Sequence, residues 1–160
     1  MRVREKLARL GLELPGPFRS ASGAPLPLAW VRVRGQVAYV SGHVPQNPDG
    51  SLAQPLGKVG GAVSEEQAFQ AARRVALGIL GSLERELGDL ERVAAWRRVF
   101  GMVNAAPGFT RLPAVINGFS ELVLELYGPE RGAHARSAVG VAELPFGAPV
   151  EVEAEVEVSG

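Results

Sequence analysis

The stretch HARSAVGVAELP (residues 134–145), followed by PVEVEAEVEV (149–158), decides the fold of this chain. Both segments alternate in a way that is typical of β-strands, and a Leu-Pro pair separates them. Because successive side chains of a strand point to opposite faces, Arg136 shares a face with the small residues Ala138 and Gly140. A guanidinium group among small side chains has open space above it. This arrangement suits a ligand carboxylate that is held by two parallel hydrogen bonds.

The rest of the sequence predicts the element order β-β-α-β-α-β-β. Ser64 begins a capping box that opens the first long helix, and Pro113 suits the first turn of the second. Two helices on one face of a mixed sheet make an α+β two-layer sandwich, here a single domain over residues 1–160 with 1–27 as an N-terminal extension. The predicted elements are a short helix within 1–12, a loop at 13–27, strands at 29–34, 36–41 and 91–103, helices at 64–88 and 113–128, and the two C-terminal strands.

The composition argues against several kinds of site. The chain has 160 residues, of which 46% are hydrophobic and 21% charged, as expected for a globular protein rather than a disordered one. Its 17 Lys and Arg residues balance its 17 Asp and Glu residues, so we expect no nucleic-acid partner. The lack of cysteine excludes thiolate chemistry, and two widely separated histidines argue against a metal site. No apolar run is long enough to span a membrane, and we expect a cytoplasmic protein.

Three blocks of the sequence resemble one protein family. ARSAVGVAELPFGAPVEVEAEV (135–156) is similar to the C-terminal signature of the reactive-intermediate deaminases, the Rid or YjgF family, also called endoribonuclease L-PSP. VAYVSGHVPQNPDGSL (37–52) resembles their N-terminal signature, and VINGFSEL (115–122) resembles a segment of their second helix. The resemblance implies a chorismate-mutase-like fold, a homotrimer with sites in clefts between subunits, and no cofactor.

The resemblance also implies roles for individual residues. Arg136 matches the arginine that holds the substrate carboxylate, and Glu151 matches the carboxylate that orients the attacking water. Gly42 matches a glycine whose backbone approaches the substrate, and Asn117 matches an asparagine near the site. His43 replaces a usual glutamine and is a candidate for substrate binding and proton transfer.

Each of these residues also has a purely structural interpretation. Pairing with a neighbouring glutamate is the structural interpretation of Arg136, a turn or bulge that of Gly42, and a structural role at a strand end that of His43. The glutamates of the last strand (Glu151, Glu153, Glu155 and Glu157) share one face and repel one another unless a neighbouring strand supplies cations. A ladder in which Arg32 and Arg34 pair with these glutamates is the structural alternative for most of the row.

The sequence departs from the family where the site would be covered. Leu28 stands where the family commonly has a tyrosine, and Ala138 stands where a cysteine often follows the Arg-Ser pair. The activity that the resemblance implies is hydrolysis of reactive 2-imino or enamine acids to 2-keto acids and ammonia. The alternatives are a non-catalytic trimeric protein that binds small carboxylates, a ribonuclease or translation inhibitor, and a related hydrolase of other carbon–nitrogen bonds.

Overall fold

The computed structural model describes all 160 residues and contains a mixed five-stranded sheet. The strands lie in the order β1-β2-β5-β3-β4, in which β3 and β4 are parallel and every other neighbouring pair is antiparallel. The strands are β1 (Val31–Arg34), β2 (Val37–His43), β3 (Val93–Asn104), β4 (Ala135–Val141) and β5 (Val150–Val158); the α-helices are α1 (Val3–Arg9), α2 (Glu65–Leu87) and α3 (Leu112–Arg131). Short 3-10 helices occupy Leu90–Arg92 and Pro145–Gly147. The predicted element order is confirmed.

Both long helices pack on one face of the sheet. In β5 the buried side chains Val150, Val152 and Val156 face the helices, and the glutamates between them point to the opposite, open face. The edge strand β4 contributes no fully buried residue to the core. The two-layer α+β arrangement is therefore confirmed, and β4 is the strand whose helix-facing side stays accessible.

The ends of the two long helices follow local sequence signals. Ser64 and Gln67 form the reciprocal hydrogen bonds of a capping box, and Gly88 ends α2 in the left-handed conformation with φ 81°. Pro113 lies in the first turn of α3. Gly128, where we expected α3 to end, interrupts the helix with φ 78°, and one more turn follows it. Gly118 allows the two helices to approach closely, because a Cβ at this position would collide with the Phe69 carbonyl oxygen.

Helix α1 packs on the end of α3. Val3 and Leu7 are buried in the core, and the Lys6 Nζ donates a hydrogen bond of 2.8 Å to the Leu126 carbonyl oxygen. The observed helix is shorter than the predicted 1–12 segment, because the chain leaves it at Leu10 and Gly11 takes a φ of 66°. The first turns of the chain therefore belong to the folded domain.

The predicted ladder between the arginines of β1 and the glutamates of β5 is wrong for the single chain. Strand β2 lies between β1 and β5, so Tyr39 is the cross-strand partner of both Arg32 and Glu155. None of the six ion pairs involves Arg32, Arg34 or any glutamate of β5. Arg98 of β3 is the cross-strand partner of Glu155, but the glutamates of β5 form no ion pair on the open face.

His43 lies inside the protein, and only 2% of its surface is exposed. Its Nδ1 lies 2.6 Å from the Ser41 carbonyl oxygen and its Nε2 lies 2.8 Å from the Ser82 Oγ. The Trp30 ring packs against the imidazole with 5.0 Å between centroids. Burial lowers the pKa of His43 to about 4. This environment supports the structural interpretation of His43 and does not support a substrate contact.

We predict that His43 makes the fold sensitive to acid. Because the folded-state pKa lies below the ordinary value of 6.5, protonation favours the unfolded state. Stability is therefore fully present above pH 6.5 and decreases as the pH falls to about 4, with a loss of up to about 3 kcal/mol from this residue.

Urea unfolding of wild type and His43→Gln at a series of pH values measures this effect. We expect the difference in unfolding free energy between the two proteins to change across this window, because glutamine does not titrate. His134→Gln is the matched comparison at the other histidine, which is less buried. Parallel curves for wild type and His43→Gln would contradict the prediction.

Candidate functional site

Arg136 lies on β4 and its side chain points toward α3. Its cross-strand partner is Val99, a core residue, which places the arginine on the helix face of the sheet. Its Nη1 donates hydrogen bonds to the Asn117 Oδ1 at 2.9 Å and to the Ser120 Oγ at 3.1 Å. The structure therefore brings together Arg136 and Asn117, two of the predicted site residues.

No carboxylate of the chain pairs with Arg136. The six ion pairs all lie elsewhere, so pairing with a neighbouring glutamate does not explain this arginine. Its Nε and Nη2 donate no hydrogen bond within the chain, whereas its Nη1 is fixed by α3. A guanidinium group that is held on one side and open on the other can accept a carboxylate through its remaining donors.

A pocket of about 400 Å³ opens beside Arg136 between α3 and the start of β4. His134 enters this pocket two residues before the arginine, on the same face of the chain. Its Nδ1 lies 2.7 Å from the Gly132 carbonyl oxygen and its Nε2 lies 2.9 Å from the Ser120 Oγ. The pocket is lined by Asn117, Ser120, Glu121, Leu124, Ala133, His134 and Arg136.

The sequence reasoning did not identify Ser120 and His134 as site residues. Two signals were present: Ser120 follows Asn117 by three residues, about one helical turn, and His134 has the same strand parity as Arg136. Neither signal predicts that the side chains of Ser120 and His134 contact each other. Their contact depends on how α3 docks against β4.

Glu151 lies on the open face of the sheet, next to Gly42. Strand β2 changes register between Val40 and His43, and Gly42 lies in this irregular segment. A Cβ at Gly42 would overlap the Glu151 carboxylate, so only glycine leaves room for the carboxylate in this position. Burial and the neighbouring Glu153 raise the pKa of Glu151 above its ordinary value. Gly42 and Glu151, two of the predicted site residues, therefore lie next to each other.

Arg136 and Glu151 lie on opposite faces of the same sheet. Arg136 aligns with Val99 of β3, whereas Glu151 aligns with Met102, three residues further along that strand. Strand geometry puts the two Cα atoms about 14 Å apart, with side chains that diverge. One chain therefore does not bring both groups to the same small substrate.

Leu28 and Ala138, at which the sequence departs from the resembled family, lie in environments that differ from each other. Leu28 has 48% of its surface exposed just before β1. Ala138 lies two residues after Arg136 on the same face and packs against the core. Trp30 contacts Phe18 and His43 and does not line the Arg136 pocket.

The structure contains neither a metal-binding cluster nor a membrane-spanning helix. No group of three or more histidine, aspartate or glutamate side chains is arranged to hold a metal ion. None of the helices combines the length and the apolar character that a membrane crossing requires.

Comparison with known proteins identifies the family. The family model described as endoribonuclease L-PSP matches residues 28–158. Protein TCP17 of Trypanosoma cruzi is 40% identical over 158 residues, which cover 99% of this chain and 95% of that protein. The crystal structure of Agrobacterium tumefaciens Atu1372, described as of unknown function, is 35% identical with a TM-score of 0.87 over 98% of this chain and 92% of that one.

A more distant structure shares the fold. RidA from the Antarctic bacterium Psychrobacter sp. PAMC 21119 is 21% identical, with a TM-score of 0.58 over 88% of this chain and 94% of that one. The match to the family model and the identity with the nearer relatives agree with the three blocks of sequence resemblance. The chain therefore belongs to the endoribonuclease L-PSP family, which is the Rid or YjgF family.

Proposed function

We propose that this protein hydrolyses reactive 2-imino or enamine acids to 2-keto acids and ammonia. The observation that carries the proposal is Arg136, which has no carboxylate partner, is held by Asn117 and Ser120 through its Nη1, and lines a pocket while its Nε and Nη2 have no hydrogen-bond partner in the chain. A small substrate with a carboxylate next to its reactive carbon matches that anchor. Membership of the Rid family supports the same reaction class.

The reaction mainly requires the protein to position the substrate and a water molecule. The imine carbon is electrophilic, so a water molecule that is held near it and loses a proton to a base completes the addition. Glu151 is the proposed base, and its raised pKa makes it a stronger proton acceptor than an ordinary carboxylate. The residues named here supply the anchor and the base without a cofactor.

The opposite faces of Arg136 and Glu151 imply a site shared between chains. We propose that Arg136 of one protomer and Glu151 of a neighbouring protomer face the same cleft in a homotrimer. The uncovered sheet face with its row of glutamates supports this assembly, because none of these glutamates forms an ion pair within one chain, although Arg98 of β3 lies opposite Glu155.

A second candidate is a non-catalytic protein that binds small carboxylates. The separation of Arg136 from Glu151 within one chain favours it, because the single chain keeps the anchor apart from the carboxylate that would activate water. The exposed Leu28, in place of a tyrosine that would cover the site, points the same way. Catalytic turnover distinguishes the two functions.

We predict that Arg136→Ala lowers kcat/KM for 2-iminobutyrate by about 100-fold or more, because two hydrogen bonds to a charged group are lost. Arg136→Lys should recover part of this loss, since lysine keeps the charge but not the planar fork. The measurement is keto-acid release from 2-iminobutyrate generated in situ. Arg74→Ala, an exposed residue of α2, is the control. Unchanged kinetics in Arg136→Ala would remove the carboxylate anchor from the proposal.

We predict that Glu151→Gln lowers kcat by at least about 100-fold and makes the fold more stable at neutral pH. The raised pKa means that the folded state disfavours the charged carboxylate, so wild-type stability should increase as the pH falls through that pKa. The variant should lack this increase. Thermal melts against pH and steady-state rates test both statements, with Glu157→Gln at the far end of the row as control. A less stable but fully active variant would contradict them.

We predict that a mixture of Arg136→Ala and Glu151→Gln chains is active although each variant alone is not. If every site takes Arg136 from one chain and Glu151 from the next, random reassembly of equal amounts restores both groups at about a quarter of the sites. Rates measured after joint denaturation and refolding test this expectation, and unmixed variants treated identically are the control. A mixture no more active than its parts would place both groups within one chain's site or outside it.

A further inference from the structure

Ser120 and His134 form a hydrogen-bonded pair beside the substrate anchor. Because the Nδ1 of His134 lies 2.7 Å from a carbonyl oxygen, which only accepts, this nitrogen carries a proton. In the neutral ring the Nε2 is then an acceptor, and the Ser120 hydroxyl donates to it over 2.9 Å. The Ser120 Oγ in turn accepts from Arg136. The hydroxyl proton therefore points at a base, and the oxygen faces a cation.

The charges around this pair favour the neutral imidazole. Arg136 from β4 and Glu121 from α3 are the charged side chains that line the same pocket. Burial is the largest cause and lowers the pKa of His134; the hydrogen bond with the Gly132 carbonyl opposes it, the positive charge of Arg136 adds to it, and the pKa lies below 6.5. At neutral pH the imidazole is therefore uncharged and can accept a proton from the Ser120 hydroxyl group.

We infer that Ser120 and His134 are a proton relay that removes the hydroxyl proton of the tetrahedral intermediate on the Arg136 side of the cleft. This inference rests on the proposed function and assigns a base to the one proton transfer that Glu151 does not perform. Glu151 accepts a proton when water adds to the imine carbon, but the resulting carbinolamine must still lose the proton of its hydroxyl group. A base next to the carboxylate anchor is in position to take it.

The step balances in atoms and charge. The substrate enters as the protonated imine, and water adds to its C2 while one water proton passes to Glu151. The carboxyl of Glu151 then returns that proton to the amine nitrogen, and the C–N bond breaks with its electrons going to nitrogen as ammonia leaves. The O–H electrons of the intermediate form the C=O bond. That hydroxyl proton moves to the Ser120 Oγ, the original Ser120 proton moves to the His134 Nε2, and the imidazolium releases its proton to solvent.

The chain contains a matched control for this pair. His43 and Ser82 make the same contact, with the Nδ1 on a backbone carbonyl and the Nε2 on a helix serine, and Arg85 donates to the Ser82 Oγ at 3.1 Å. That imidazole is buried and lines no pocket with Arg136. Ser82→Ala therefore removes an equivalent hydrogen bond without touching the site.

The test compares Ser120→Ala, His134→Gln and Ser82→Ala in the imine hydrolysis assay. His134→Gln can still accept from Ser120 through its amide oxygen but is not a base, so it separates proton transfer from positioning. We expect Ser120→Ala and His134→Gln to lower kcat by about 100-fold, with KM changed by less than about threefold because Asn117 still holds Arg136. The wild-type rate should fall at acidic pH with a pKa below 6.5. Protonation of Glu151 also lowers the rate at acidic pH, so His134→Gln should keep only the Glu151 part of this fall, and Ser82→Ala should keep wild-type kinetics.

Three results would overturn the relay. If wild type hydrolyses imines and His134→Gln keeps the wild-type kcat and pH profile, the pair does not transfer protons although the proposed function stands. If Ser120→Ala and His134→Gln raise KM in proportion to their loss of kcat/KM, the pair only positions Arg136. If folded wild type does not accelerate imine hydrolysis at all, the proposed function fails and the relay fails with it.

Discussion

The alternation of side chains along the strands is the constraint on which the rest of this structure depends. A sheet has two faces, and the residue parity of β4 and β5 assigns Arg136 to the helix face and Glu151 to the open face. The helix face supplies the amide, hydroxyl and imidazole groups that hold the arginine. The open face supplies a carboxylate crowded by like charges. Any function that uses both groups must bring together two faces that a single sheet keeps apart.

The parts of the fold that depend on local sequence could be predicted. The capping box at Ser64 and the end of α2 at Gly88 each require only a few neighbouring residues, and the structure has them where the sequence places them, whereas Gly128 interrupts α3 and does not end it. The opposite faces of Val150 and Glu151 follow from period-two alternation in the same way. Backbone conformation and strand parity are local properties, so one sequence is enough to determine them.

The contacts that depend on tertiary packing could not be predicted from single residues. The arginine–glutamate ladder failed because β2 separates β1 from β5, and strand order is not encoded in the pattern of either strand. The contact between Arg136 and Asn117 agrees with the family resemblance rather than with any spacing rule. Ser120 and His134 went unnoticed because their meeting requires the docking of α3 on β4. His43 was a reasonable candidate by residue type, but the packing of Trp30 and α2 closes it off from solvent.

Helix α1 supports the site through α3, although α1 does not line the pocket. The Lys6 ammonium group binds the Leu126 carbonyl just before Gly128 interrupts α3, so it satisfies from outside an acceptor near a weak point of that helix. Helix α3 also carries Asn117 and Ser120, two to three turns before Gly128. Helix α1 therefore helps to keep α3 in place, and with it the two side chains that hold Arg136. Proteolytic trimming of the N-terminus, which leaves every residue of the pocket intact, would loosen the support on which the orientation of Arg136 relies.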